Sequence, residues 1–452
     1  MNIVLIVIDT LRADHLSCYG YFRETSPTLD RIAKEGVLFE NYYASGIATG
    51  PGFTSIITGR YPTTHKYYLT PYNVTNVLSF DDNIPVLAEI MWVNGYTTVA
   101  IDNLINFKSR PKHFLRGYEY YINPSKSPFV PAASLMAEQA NKKIIPWIKA
   151  HSYERFFMFI HYWDPHLPYN QPRAYRELYR HEKGKFGDLK ILESPDGYKY
   201  VPGWGKLDEI VEESDGRTID LYDGEIAYVD NAIAEVVETL KDEGILDDTL
   251  LIITSDHGEG LGQHGIWGHA GLHENIIKLP LILRYPKKFP KGIRVKSYVQ
   301  HADIVPTILE LAGIDNQDVF DGSSLRKSIN SNIRDFAVSE AWGERAIIFN
   351  EWKLIIHYER ELRVLKEIYP KPFTRQNYRA LIPILRKTFI KGNKGYELYN
   401  IVNDPMEIHN LAEEYPSKVK ELEEMIEKWI VSKVGDNDPI NYLGNYVQPQ
   451  PV

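Results

Sequence analysis

Ile3-Val-Leu-Ile-Val-Ile8 is an unbroken aliphatic run rich in β-branched residues, and Asp9 follows it at once. A strand with no polar face must be covered on both sides, which is the position of a central strand in a parallel sheet flanked by helices. An acidic residue directly after such a strand sits at its C-terminal end, where open α/β sheets gather their ligands. The following sequence repeats the theme. Ser26–Gly36 reads as a helix with Ser at its N-cap, Pro at its first position and a closing Gly. Val37–Tyr43 is a strand, Ile84–Val93 an amphipathic helix ended by Asn94-Gly95, and Thr97–Asp102 the strand after it. Ala132–Ala150 is a helix, Phe156–Ile160 a third core strand, and Tyr222–Glu243 a long helix before the strand Thr249–Thr254. Leu279–Tyr285 is a further strand and Ala302–Gly313 a compact helix. Such alternation predicts an α/β fold with a doubly wound, mostly parallel sheet over residues 1–330. Its one interruption, about 170–217, lacks periodicity and reads as an insertion or lid.

From about Asp335 the pattern changes to a smaller C-terminal α+β subdomain, 331–452. Phe336–Ser339, Arg345–Asn350 and Lys353–Tyr358 read as antiparallel strands, Tyr396–Pro405 as a strand and turn, and Pro416–Val431 as a terminal helix. Glu359–Gly395 is basic with apolar residues at helical spacing, which fits a solvated amphipathic insertion better than a partner or membrane patch. The tail beyond Gly435 reads as extended.

The 452 residues carry a net charge of -9, which argues against a nucleic-acid binder, since that role needs clustered positive charge. Cys18 is the sole cysteine, so no intramolecular disulfide is possible. No stretch reaches the length of a membrane span, and the first apolar run is too short for a signal-peptide core. A cytoplasmic protein is the expectation, and Asn73-Val-Thr75 is then a glycosylation sequon in pattern only.

Four further stretches carry chemistry. In Ile253-Thr-Ser-Asp-His-Gly-Glu-Gly260, Asp256 and His257 follow an apolar strand inside a glycine-rich turn. A carboxylate and an imidazole there are natural ligands for a divalent ion, particularly with Asp9 at a neighbouring strand end, although a lone Asp-His pair is more often a capped turn. Ala48-Thr-Gly-Pro-Gly-Phe-Thr-Ser-Ile-Ile-Thr-Gly-Arg60 is a small loop punctuated by Gly and Pro that fixes one hydroxyl, Thr49, in direction. His161-Tyr-Trp-Asp-Pro-His166 follows the third core strand, and Trp267-Gly-His269 follows the Asp-His turn.

Together these motifs resemble the sulfatase branch of the alkaline-phosphatase superfamily, over residues 1 to about 320 and more loosely through Glu397-Leu-Tyr-Asn400 and Asn410-Leu-Ala412. The resemblance implies one divalent ion held by Asp9, Asp256, His257 and the Thr49 oxygen, with Thr49 as the nucleophile. Thr10 stands where many members carry a second acid, which favours Mn, Zn or Mg over Ca. It also implies that His166 is the proton donor or oxyanion contact and that His269, in place of the family's Lys, touches substrate or moves protons. A histidine packed in a Pro-rich turn is the competing reading for His166. Asp164 and His161 read as structural, His264 and His273 as weaker candidates, and a second ion on Asp164, His166 and His269 stays open. The cationic pair that holds sulfate is replaced by the stretch Asp102-Asn103-Leu104-Ile105, which leaves Asn103, Arg60 or Lys108 to bind the anion.

The family's Cys or Ser becomes formylglycine, which Thr cannot form, and the neighbouring Ser and Arg are Gly52 and Phe53 here. A sulfo-threonine resists turnover unless water attacks sulfur, whereas a phospho-threonine is reset by in-line attack at phosphorus. The expected function is therefore metal-dependent hydrolysis or transfer of small anionic phosphate esters, mono- or diester, through Thr49. Sulfuric-ester hydrolysis without formylglycine is the first alternative and a non-catalytic anion binder the second.

Overall fold

A computed structural model of the chain describes residues 1–68, 80–102, 112–124, 136–167, 169–179, 192–193, 199–201, 205–206, 217–316, 318–341, 343–358 and 395–442. The sequon at Asn73, Asn103 and Lys108, most of the 170–217 insertion and residues 359–394 of the basic insertion lie outside them.

The main sheet is built from β1 (Asn2–Ile8), β2 (Val37–Phe39), β3 (Thr97–Ile101), β4 (Tyr120–Ile122), β5 (Phe156–Tyr162), β6 (Thr249–Thr254), β7 (Leu281–Arg284) and β8 (Ile293–Val295). Their order across the sheet is β8-β2-β7-β6-β1-β5-β3-β4. The run β6-β1-β5-β3-β4 is parallel throughout, while β7 is antiparallel to both β6 and β2. Every residue of β1, β5 and β6 is buried, as their unbroken apolar composition requires. Two expected strands are shorter than the sequence suggested. Val37–Tyr43 divides, with Tyr42–Tyr43 joining a separate ribbon, and Leu279–Tyr285 breaks at Pro280, which has no N–H to give a ladder.

Helices α1 (Pro27–Glu35), α2 (Thr49–Thr58), α3 (Leu87–Val93), α4 (Ala137–His151), α5 (Arg217–Asp242) and α6 (Ile304–Ala312) accompany this sheet. Ser26 does not cap α1 with its side chain. The free N–H groups of Thr28 and Leu29 instead donate to the two oxygens of Asp230 on α5, each at 2.9 Å. Residues 49–58 form a helix rather than a loop. Pro51 lies in a first turn whose N–H groups have no helical partner, and Gly59, at φ 67°, closes the last turn.

The C-terminal sheet is antiparallel, in the order β9 (Ala337–Ala341), β10 (Glu344–Phe349), β11 (Trp352–His357) and β12 (Gly395–Asn400), with helix α7 (Pro416–Val434) packed on it. It is tied to the main body through Arg345, a wholly buried cation that meets Glu340, Asp438 and Thr63 at 2.6–3.0 Å. Asp438 belongs to the expected extended tail. That tail instead turns back through a short helical turn at Pro439–Tyr442.

Candidate active site

Strand register assembles the centre. Val7 is opposite Thr254 on one side and His161 on the other, so β1, β6 and β5 end at one edge and deliver Asp9, Asp256 and His161 to it. Asp9, Asp256 and His257 are completely buried, and one ligand atom from each lies within 4.8 Å of the others. Among the described residues no other such group exists. His257 Nδ1 donates to the Gly258 carbonyl at 2.9 Å, which leaves the Nε2 lone pair facing Asp256 at 3.3 Å and Asp9 at 3.8 Å. Both oxygens of Asp9 and Oδ2 of Asp256 are buried without a hydrogen bond among the described residues. Buried carboxylates left without donors are costly unless a cation compensates them, so this donor set fits a divalent ion. Burial and the facing Asp9 carboxylate push Asp256 well above the ordinary carboxyl range. Burial works the same way on Asp9, but His166, His161 and His257 outweigh it and hold Asp9 at about 2.

Thr49 is the first residue of α2, and its Oγ1 lies 3.1 Å from His257 Nε2. The helix approaches this closely because position 52 is glycine, since a Cβ there would stand 2.8 Å from the Asp256 carbonyl oxygen. Thr10 adopts φ 58°, a strained conformation for a β-branched residue, and from there its N–H donates to Asp256 Oδ1 at 3.3 Å. Position 10 therefore supplies an amide donor where an acid would supply a ligand.

Three imidazoles line the open side. The His269 ring is 4.5 Å from that of His257, and the His166 ring is 5.3 Å from that of His269. His166 Nδ1 meets the Leu167 carbonyl at 2.5 Å. His269 Nδ1 faces Glu259 Oε2 at 3.8 Å, and although burial opposes its charge, the Glu259 carboxylate outweighs it and raises the His269 pKa.

Arg60 is not brought to this centre. It follows the C-cap of α2, at the opposite end from Thr49. Asp164, His166 and His269 do not come together as a second ion site among the described residues. His264 and His273 stack on one another, with ring centroids 3.7 Å apart, and His273 Nε2 pairs with Glu397 of β12 at 3.2 Å.

His161, expected to be structural, enters the site with two residues the sequence reading had given no role, Asp102 and Glu259. His161 Nε2 is 3.4 Å from Asp9 Oδ2, and its Nδ1 is 2.8 Å from Asp102 Oδ1, whose second oxygen accepts from Tyr121 at 2.7 Å. Burial opposes charge on His161, but Asp102 and Asp9 overcome it and lift the imidazole to about 10. The available signal was position: Asp102 follows β3 as Asp9 follows β1.

The fold is that of the sulfatase and alkaline-phosphatase superfamily. Residues 1–314 match the sulfatase family model, and the chain belongs to that family. Residues 262–433 also match the model described as N-sulphoglucosamine sulphohydrolase, C-terminal. Iduronate 2-sulfatase of Mus musculus is 25% identical over 386 residues, covering 70% of this chain and 69% of the relative. A protein solved in complex with its substrate D-glucosamine-2-N,6-O-disulfate superposes with a TM-score of 0.71 at 21% identity, over 97% of this chain and 99% of that one. The phosphonate monoester hydrolase of Agrobacterium radiobacter gives 0.70 at 19% identity over 96% of each chain. The chain is thus an ester hydrolase of the sulfatase family. No helix among the described residues is long and apolar enough to cross a membrane.

Proposed function

We propose that the chain cleaves phosphate or phosphonate esters, or passes the phosphoryl group to an alcohol, through a covalent intermediate on Thr49. The observation that carries this reading is Thr49 Oγ1 at 3.1 Å from His257 Nε2, beside Asp9 and Asp256, at a position where no formylglycine can form. A divalent ion (Mn, Zn or Mg before Ca) held by Asp9, Asp256, His257 and Thr49 Oγ1 would lower the hydroxyl pKa and neutralise charge on the transferring group. Ionised Thr49 Oγ1 bonds to phosphorus as the ester P–O bond breaks. The departing oxygen takes a proton from His166, which stands at the open side of the cluster where an alcohol can leave. His269, whose imidazole the Glu259 carboxylate shifts toward its charged form, faces the anion. A water or an alcohol then attacks phosphorus, returns a proton to the neutral His166 and frees Thr49 in its starting form.

The phosphonate monoester hydrolase among the structural neighbours supports this reading. The mouse iduronate 2-sulfatase favours a second one, hydrolysis of sulfate esters at an unmodified Thr49 with water attacking sulfur. Aryl phosphate, phosphonate and sulfate esters assayed side by side separate the two, with mass spectrometry of acid-quenched enzyme. Phosphorus esters are expected to turn over faster, a phosphorylated Thr49 peptide to accumulate, and Thr49→Ala to lose at least about 10³-fold in kcat. Turnover of sulfate alone, or full activity in Thr49→Ala, would overturn the proposal.

A further inference from the structure

We infer that Asp164 and Glu225 form a carboxyl–carboxylate clamp that sets the position of His166, an inference that rests on the proton-donor role given to His166 above. Both residues are buried, Asp164 Oδ2 and Glu225 Oε2 take no donor from any other described residue, and the two carboxyls lie close enough that each perturbs the ionisation of the other. Two ionised carboxylates cannot face each other in that way, so one carries a proton. Burial pushes both upward, Glu225 the further, to about 9.

Each acid also holds backbone. The Asp164 carboxyl accepts from the N–H of Ala137, the first residue of α4. Glu225 Oε1 accepts from the N–H of Gln171 at 3.0 Å, and Gln171 Nε2 donates to the Leu221 carbonyl at 2.7 Å. Gly224 permits the approach, because a Cβ there would lie 2.6 Å from the Tyr175 carbonyl oxygen and 2.9 Å from Gln171 Nε2. Asp164 and Gln171, on either side of His166 in the chain, are therefore held against α4 and α5. His166 stands between the fastenings, with its N–H on the Trp163 carbonyl at 2.9 Å and its ring 4.7 Å from that of Trp163. Asp164 and Glu225 touch neither substrate nor the ion-binding atoms. They are positioning residues that act through His166.

This role separates from mere structural support through the leaving group. Protonation by His166 matters for a poor leaving group and little for a good one, so displacing His166 penalises only the former. The probes are 2,4-dinitrophenyl and phenyl esters of whichever acid the wild type turns over. Glu225→Ala is expected to lower kcat on the phenyl ester by about 10- to 100-fold and on the dinitrophenyl ester by about threefold or less, with KM unchanged. Glu225→Gln, whose amide donates to Asp164 and accepts from Gln171, is expected to stay within about threefold on both. If Glu225→Ala fails to fold, Gln171→Ala, which removes one tether and leaves the acid pair intact, takes its place with a smaller loss of the same selectivity. Equal losses on both esters, or a Gln variant as impaired as the Ala variant, overturn the clamp. His166→Ala run alongside tells the two readings apart: loss of leaving-group sensitivity there with none in Glu225→Ala refutes the clamp alone. Absence of any such sensitivity in His166→Ala refutes the proton-donor role and the clamp with it.

Discussion

Gly52 lies in the first turn of α2, three residues after Thr49, and packs against the end of β6. A Cβ at this position would sit 2.8 Å from the Asp256 carbonyl oxygen and 3.3 Å from the Asp256 Cβ. That is about 0.5 Å inside van der Waals contact with atoms that cannot rotate away. β6 is held between β1 and β7, so the relief must come from α2 moving outward. A retreat of about half an ångström carries Thr49 Oγ1 away from its 3.1 Å approach to His257 Nε2 and out of hydrogen-bond range. A 1 Å misplacement at a reacting centre costs about 10²-fold, so half of that predicts about a tenfold loss of kcat in Gly52→Ala. Overpacking costs about 1–3 kcal/mol, and the better helix propensity of Ala returns about 1 kcal/mol, so the variant stays folded. Gly52→Ser restores the residue typical of the family motif yet carries the same Cβ, and it is expected to lose at least as much. Steady-state kinetics on an aryl ester beside a thermal melt give both readouts. A Gly52→Ala enzyme with kcat within twofold of the wild type would refute the close-approach account.

Two further outcomes follow from buried charge. Stripping divalent ions with a chelator is expected to lower the melting temperature, because the buried Asp9 and Asp256 then face each other with only His161 beside Asp9 and two backbone amides on Asp256 Oδ1. An ion present at 100 times its Kd contributes about 2.7 kcal/mol, and Asp256→Asn should blunt the response. An identical melt with and without chelator counts against the ion site. His357 sits between Glu344 and Glu397, each 3.0 Å away, and although burial opposes its charge the two carboxylates raise it to about 10. A folded pKa above the unfolded value of about 6.5 means stability fully present below that pH and lost as pH rises toward 10, on the order of 5 kcal/mol. Denaturant unfolding of wild type and His357→Gln between pH 6 and 10 should therefore converge at the alkaline end, and a constant gap would refute the linkage.

The sheet was legible because its central strands are apolar on both faces, a pattern that needs no partner to interpret. Asp9, Asp256 and His257 were legible for the same reason, as polar residues directly beyond such strands. α2 was misread because Gly50, Pro51 and Gly52 are loop residues by composition, whereas the first helical turn tolerates a missing N–H and a close approach rewards a missing Cβ. Arg60 looked near the nucleophile along the chain, but a helix of ten residues at about 1.5 Å per residue moves it some 15 Å away. His161 was taken as structural because a histidine inside an aromatic strand resembles core. Its role appears only from the register that sets it opposite Val7 and beside Asp9. The Asp164–Glu225 pair joins residues far apart in sequence, and neither has a local signature.

Phe53 and His161 explain each other. Phe53 is wholly buried, with its ring 4.7 Å from that of His161 and 5.8 Å from that of Phe159. His161 is held in its charged form by Asp102 at 2.8 Å, with Asp9 on its other nitrogen. An Arg at position 53, as in the family motif, would bring a second cation against that imidazolium with both nearby carboxylates already engaged. The positive charge beside the ion-binding carboxylates therefore comes from β5 and not from α2. Thr10 acts in the same direction, since an acid there would make the occupied site more negative by one unit. At about 4 Å and an effective dielectric of about 20, one unit of charge changes the attraction for a bound anion by about 4 kcal/mol per unit of the anion's own charge. Under the proposed reading, the charge on His161 and the missing acid at Thr10 together offset the cations lost around Asn103. Under that reading, a phosphate monoester dianion gains twice as much from the missing acid at Thr10 as a sulfate ester monoanion does.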